Sequence, residues 1–149
     1  MIRKNLEKIF FPTLTFLFIF YEIMLVLVIQ YLENEGAFDE IQKAFLLSMI
    51  WPTMMSHLAA LVKFLIDLIR GENREINLGI GIVLVFSNSI IVFILFFIFW
   101  EIPEQYLEKN YFQYFKFYVL LMQIFLGINV VLIFSNNILP NCISRYFSG

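Results

Sequence analysis

The chain has 149 residues, 61% of them hydrophobic and 19% aromatic, nineteen of them Phe, with a net charge of −2. That composition is too apolar for a water-soluble domain, and the length makes one domain. The single cysteine, Cys142, excludes an internal disulfide, and the single histidine, His57, has no Cys or His cluster around it to make a metal set.

The N-terminus opens with Arg3, Lys4 and Lys8, and an apolar run follows. A small-residue cleavage site is missing, so the run reads as an uncleaved first membrane span over Ile9–Tyr31. Each span needs about 20 apolar residues to cross a hydrocarbon core of about 30 Å, and must be helical to satisfy its own backbone. Thr15 and Glu22 share a face of this helix. An acidic loop follows, with Glu33, Glu35, Asp39 and Glu40.

The second span reads as Ala44–Ile69. Pro52 sits inside it and predicts a kink or a freed carbonyl. Met49, Thr53, Ser56, Ala60, Lys63 and Asp67 recur at three- and four-residue spacings, which predicts one small or polar stripe with His57 on its edge. Lys63 and Asp67 are expected to form a snorkelling pair at the end of that helix. A short loop, Arg70–Asn77, leads into the third span at Leu78–Trp100, where Gly81 and Asn88 lie on one face. The stretch Tyr106–Tyr118 is aromatic enough to lie flat in the headgroups. The fourth span reads as Phe117–Leu139, with Asn129 and Asn136 on one face and Gln123 and Gly127 on a neighbouring one. Pro140 is expected to stop it. Cys142 then lies beside the membrane as a candidate for acylation.

These four spans predict an all-α polytopic membrane protein, a single antiparallel four-helix domain over residues 1–149. No segment outside them, the longest about sixteen residues, can bury a core of its own. Lys and Arg set the orientation. Arg3, Lys4, Lys8, Lys63, Arg70, Arg74 and Arg145 cluster on one side, against Lys43, Lys109 and Lys116 on the other. The excess places both termini and the Arg70–Asn77 loop in the cytoplasm. Trp100, Tyr31, Tyr106, Tyr111, Tyr114 and Tyr118 mark the outer boundary, and Tyr146 and Phe147 the inner one.

Two stretches repeat. Phe16–Ile23 resembles Leu95–Ile102, and Gln30–Glu33 resembles Gln105–Glu108, which fits duplication of a helical hairpin. A second match, Leu78–Ile91 with Leu126–Leu139, joins helices that run oppositely, so one tandem duplication does not explain both.

Placing each helix by its midpoint brings Glu22, His57, Asn88 and Asn129 to one depth. Amides at helix contacts serve as interhelical glue, about 0.6 to 2 kcal/mol each. An ionisable group in lipid points to function or to a specific partner, so Glu22 is expected to face the bundle and meet His57, Asn88 or Asn129.

Three function classes follow. An intramembrane enzyme needs a nucleophile with a base, paired carboxylates or metal ligands, and only Glu22 and His57 carry such chemistry, without a motif. A channel or small transporter needs an oligomer, since four helices enclose no wide pore. A non-enzymatic membrane subunit, acting as sensor, anchor or scaffold with a partner, fits the short charged surfaces. Arg70, Arg74 and Arg145 are its candidate cytosolic contacts. It takes no cofactor and no nucleic acid of its own.

In size, four spans, cytosolic termini and lack of motif, the chain resembles the membrane subunit of the bacterial Kiwa antiphage system. The resemblance is architectural and carries over no site residue. It implies an inner-membrane homo-oligomer that senses phage attack and works with a cytosolic DNA-binding partner.

Overall fold

A computed structural model describes the backbone of residues 2–71, 77–105 and 111–147, and the side chains of residues 9–71, 77–100 and 111–136. Four helices account for nearly all of it: α1 over Ile2–Asn34, α2 over Glu40–Ile69, α3 over Leu78–Gln105 and α4 over Tyr111–Phe147. Among the described residues there is no strand. All four helices are long and apolar enough to cross a membrane, over Ile9–Asn34, Glu40–Ile69, Leu78–Trp100 and Tyr111–Asn136. Only 22–39% of the most apolar stretch of each is buried inside the bundle. The remaining apolar surface is far larger than a soluble monomer exposes, and lipid is its natural solvent.

The helix ends follow the local sequence. After Asn34 the chain enters a Schellman turn: Gly36 N–H donates to Glu33 O (2.9 Å) and Ala37 N–H to Leu32 O (2.8 Å). Gly36 takes φ +78°, which a residue without Cβ adopts freely. Three residues later Asp39 caps α2. Its carboxylate accepts from Gln42 N–H at 2.7 Å, and Gln42 Oε1 accepts from Asp39 N–H at 3.1 Å. Lys43 then bridges back to Glu33 at 2.8 Å and ties the hairpin.

Packing runs in the order α1, α2, α4, α3. Phe11 stacks on Phe64 where α1 begins and α2 ends. Phe38, just before α2, packs on Tyr111 and Phe115 at the start of α4. At the opposite end Asn77 N–H, just before α3, donates to Asn136 Oδ1 of α4 at 2.8 Å. Tyr21 of α1 reaches α3 by donating its hydroxyl proton to Asn88 Oδ1 at 3.0 Å, which closes the circuit. Successive helices are antiparallel, while the neighbours α2 and α4 run the same way. The end holding the α2–α3 connection is the near face, and the end holding the α1–α2 turn is the far face.

Several expectations shift. The α2 helix starts at Glu40 rather than Ala44, because the Asp39 cap satisfies its first turn. The α4 helix starts at Tyr111 rather than Phe117. Tyr111–Tyr118 is therefore its first two turns, not a segment lying flat, and Tyr106–Asn110 falls outside the described residues. Its aromatic side chains pack on Phe38 and Phe45, which supports helix there. Pro140 does not stop α4, whose backbone continues to Phe147. Proline removes one N–H donor and strains one turn, and the helix carries through it with about eight turns before and about two after. Pro12 and Pro52 are likewise inside helices.

Candidate functional site

Glu22 and His57 face each other across the α1–α2 contact. Both side chains are fully buried, and His57 Nδ1 lies 3.6 Å from Glu22 Oε2. That is an ion-pair distance and too long for a direct hydrogen bond. Neither carboxylate oxygen and neither ring nitrogen has a hydrogen-bond partner among the described residues. The Phe18 ring packs against the imidazole with centroids 5.4 Å apart, which shields the pair from that side. Placement is a matter of helix phase. Leu14, Phe18, Leu25, Ile29 and Leu32 form the buried stripe of α1, and Glu22 lies in that stripe. Ile50, His57, Ala60 and Phe64 do the same on α2.

Two opposite formal charges, or a neutral acid and a neutral base, satisfy this setting equally in net charge. A lone carboxylate would not, because leaving one ion unpaired in low dielectric costs several kcal/mol. Chemically, the arrangement sets one carboxyl group beside one imidazole, an acid next to a base. It offers no nucleophile beside a base. Among the described residues no group of His, Cys, Asp or Glu is placed to hold a metal ion.

The other two members of the expected polar layer divide. Asn88 is half-buried and bonded to Tyr21, not to Glu22. Tyr21 and Glu22 are consecutive, so about 100° separates them on α1, and one reaches α3 while the other reaches α2. Asn129 is fully buried on α4, and neither end of its amide has a partner among the described residues. By helical register it lies on the near-face side of Asn88.

A second interhelical bond sits one turn toward the far face. The Thr53 hydroxyl of α2 lies within donating distance of Gln123 Oε1 of α4 and of Ile50 O of its own helix (2.9 Å), and its single proton serves one of the two at a time. Sequence reasoning placed these two residues on separate stripes and did not pair them. It also passed over Tyr21. The usable signal was adjacency: a hydroxyl next to an intramembrane acid lies one helix face away from it and needs a partner of its own.

The α2 stripe itself splits. Ala60 and Asp67 are buried, Thr53 and Ser56 half-buried, and Lys63 exposed. Asp67 is thus buried and Lys63 exposed, four residues apart toward the near face. Of the candidate partner contacts, Arg70 is exposed on the near face. Arg74 and the Arg145 side chain lie outside the described residues, as does the Cys142 side chain. Trp100, Tyr31 and Tyr114 are exposed at the far end, where an aromatic belt belongs.

Comparison of the chain with family models, curated proteins and solved structures finds no significant match.

Proposed function

We propose that this chain is a non-enzymatic integral membrane subunit of a bacterial inner membrane. It acts as a sensor or anchor, assembles as a homo-oligomer and works through a cytosolic protein partner. The observation that carries this reading is the closed bundle centre. Phe18, Leu25, Leu84, Ile91, Met122 and Leu126, drawn from α1, α3 and α4, are fully buried. Together with Leu46 and Ile50 of α2 they supply close-packed hydrocarbon around the buried polar groups, and no open channel runs among them in the described residues. One copy thus supports a subunit better than a conduit. The Lys and Arg bias puts the near face in the cytoplasm, where Arg70, Arg74 and Arg145 meet the partner. The architectural resemblance to the Kiwa membrane subunit supports a role in antiphage defence.

A second reading has one observation in its favour. Buried polar atoms of Thr15, Ser87 and Asn129 lack partners among the described residues, as those of an ion or proton pathway do. One experiment separates the two. A photocrosslinking residue is placed at Arg70 and, separately, at Glu35, in cells, and the purified chain is reconstituted in liposomes for flux measurement. The subunit reading expects an adduct to a soluble protein from position 70, none from position 35, and no flux. Flux without an adduct at position 70 replaces it with the channel or transporter reading.

A further inference from the structure

The buried polar groups are not spread evenly along the bundle. Ser87 lies level with the Glu22–His57 pair, and toward the near face come Asn129, Thr15 and Asn136, all buried. They come from three helices, and Thr15 and Asn136 are each seven residues from Glu22 or Asn129 along one helix face. Asn136 accepts from Asn77 N–H beside the α2–α3 connection, where this polar side of the interior reaches the surface. Thr15 Oγ1, Ser87 Oγ and both ends of the Asn129 amide have no partner among the described residues.

Both halves hold buried hydrocarbon, Phe11, Leu14, Phe64, Ile80 and Leu84 among it on the near side, and the far half holds fewer buried polar groups. One turn beyond His57, Thr53 and Gln123 bond to each other. Past them the interior is hydrocarbon: Leu25, Ile29, Leu32, Leu46, Ile50 and Val119 are all buried. Phe38 then caps that end against Tyr111, Phe112 and Phe115, with ring centroids 5.1–5.8 Å apart.

We propose that Glu22 and His57 form a proton-binding site that exchanges with water from the near face only, along Asn129, Ser87 and Thr15. The ligand is a proton, held between one carboxylate and one imidazole. The two groups lie 3.6 Å apart, so the proposed site is the pair rather than either residue alone. Gaining or losing a proton leaves a net charge at the α1–α2 contact, where low dielectric makes that charge costly. Proton occupancy is thereby coupled to how α1 sits on α2. The surroundings contain little else that titrates. Among the described residues α3 offers Ser87 and Asn88, and α4 offers Gln123 and Asn129, all uncharged. On α1 the Tyr21 phenol is bonded to Asn88. On α2 the charges nearest along the helix are Lys63 and Asp67, about 9 and 15 Å nearer that face. The inference stands whether or not a cytosolic partner exists, so the crosslinking result does not decide it.

His57 is the only histidine in the chain, so ¹⁵N-histidine labelling reports this site alone. The full chain in lipid nanodiscs is titrated between about pH 5 and about pH 8, the range in which histidine switches. The wild type is expected to show its imidazole signal responding in two steps. Glu22→Gln leaves one step. Identical curves for the two proteins, or no response in either, overturn the site. Should Glu22→Gln fail to fold, infrared titration of wild-type carboxyl groups replaces it. A carboxyl band sharing the imidazole midpoints supports the pair, and independent midpoints overturn it. In vesicles with the chain in one orientation, acidifying the near-face solution is expected to titrate His57 promptly. Acidifying the far-face solution is expected to act only at the rate of proton leak through lipid. Equal rates from both faces overturn one-sided access.

Discussion

Replacing Glu22 or His57 alone with Leu leaves the other ionisable group buried without its partner. Each single change is expected to cost about 3–5 kcal/mol, the usual penalty for breaking a buried pair. Glu22→Leu with His57→Leu together should cost clearly less than the sum, because no orphaned charge remains. Denaturant unfolding in mixed micelles measures all three, and additive losses would show that the two side chains do not interact. Glu22→Gln is the milder single change, since its amide keeps a polar atom toward the ring. Tyr21→Phe isolates the neighbouring contact. It removes one hydroxyl donor to Asn88 and nothing else, so about 1 kcal/mol is expected. The residue scale is also where the sequence was most informative about chemistry. A carboxylate near the middle of an apolar helix stands out, and the histidine at matching depth on the next helix is one of the three partners the sequence offers it, with Asn88 and Asn129.

Each helix is set by features of different legibility. Apolar runs make the four elements plain, and the Gly36 and Asp39 signals mark the α1–α2 turn. The start of α4 was hidden, because Tyr111–Phe117 is aromatic and half-polar and reads equally as an interfacial loop. Only packing on Phe38 and Phe45, far away in sequence, resolves it. Starting α4 earlier moves Gln123 to the middle of its candidate span and explains why its pairing with Thr53 was missed. Rotation about the helix axis is the other quantity a periodicity leaves loose, and it sends Asn88 to Tyr21 instead of Glu22. Two predictions belong to this scale. Phe38 is 4% exposed and touches three aromatic rings of α4, so Phe38→Ala should cost about 3 kcal/mol and loosen the α2–α4 contact at its far end. Thermal unfolding together with a nitroxide pair at Ile41 and Gln113 would read both effects, and an unchanged distance distribution would refute the second. Thr53→Val combined with Gln123→Leu should show a coupling of about 1 kcal/mol in a double-mutant cycle. Zero coupling would mean that this bond contributes nothing.

At the scale of the whole molecule, orientation and assembly are separate questions. With Cys142 replaced, a cysteine at position 74 should resist an impermeant label added outside intact cells, while positions 35 and 104 react. Labelling of position 74 would invert the topology. Assembly has to be argued from the outer surface. The polar faces that the sequence offers in surplus are largely consumed inside one bundle: Gln123, Asn129 and Asn136 are all buried. Lipid-facing hydroxyls do not help either. Ser48, Ser56 and Ser89 donate to carbonyls of their own helices, Phe45 O, Pro52 O and Val85 O, at 2.6, 2.8 and 3.1 Å. The proposed self-association would then rest on close packing, which needs small side chains on an outward face. Ser48, Pro52, Ser56 and Ala59 follow helical spacing on α2, and Ser56 is half-buried while the others are exposed. A second copy packed there lets two helix backbones approach, and repetition of one such contact closes a symmetric ring. Native mass spectrometry in mild detergent is expected to show an oligomer of the wild type. Ala59→Phe should convert it to monomer, since the introduced ring forces the backbones apart while facing away from the bundle core. Helicity and thermal stability of the single bundle should stay unchanged. A wild-type monomer at every concentration would remove the oligomer, and an oligomer untouched by Ala59→Phe would move the contact to another helix.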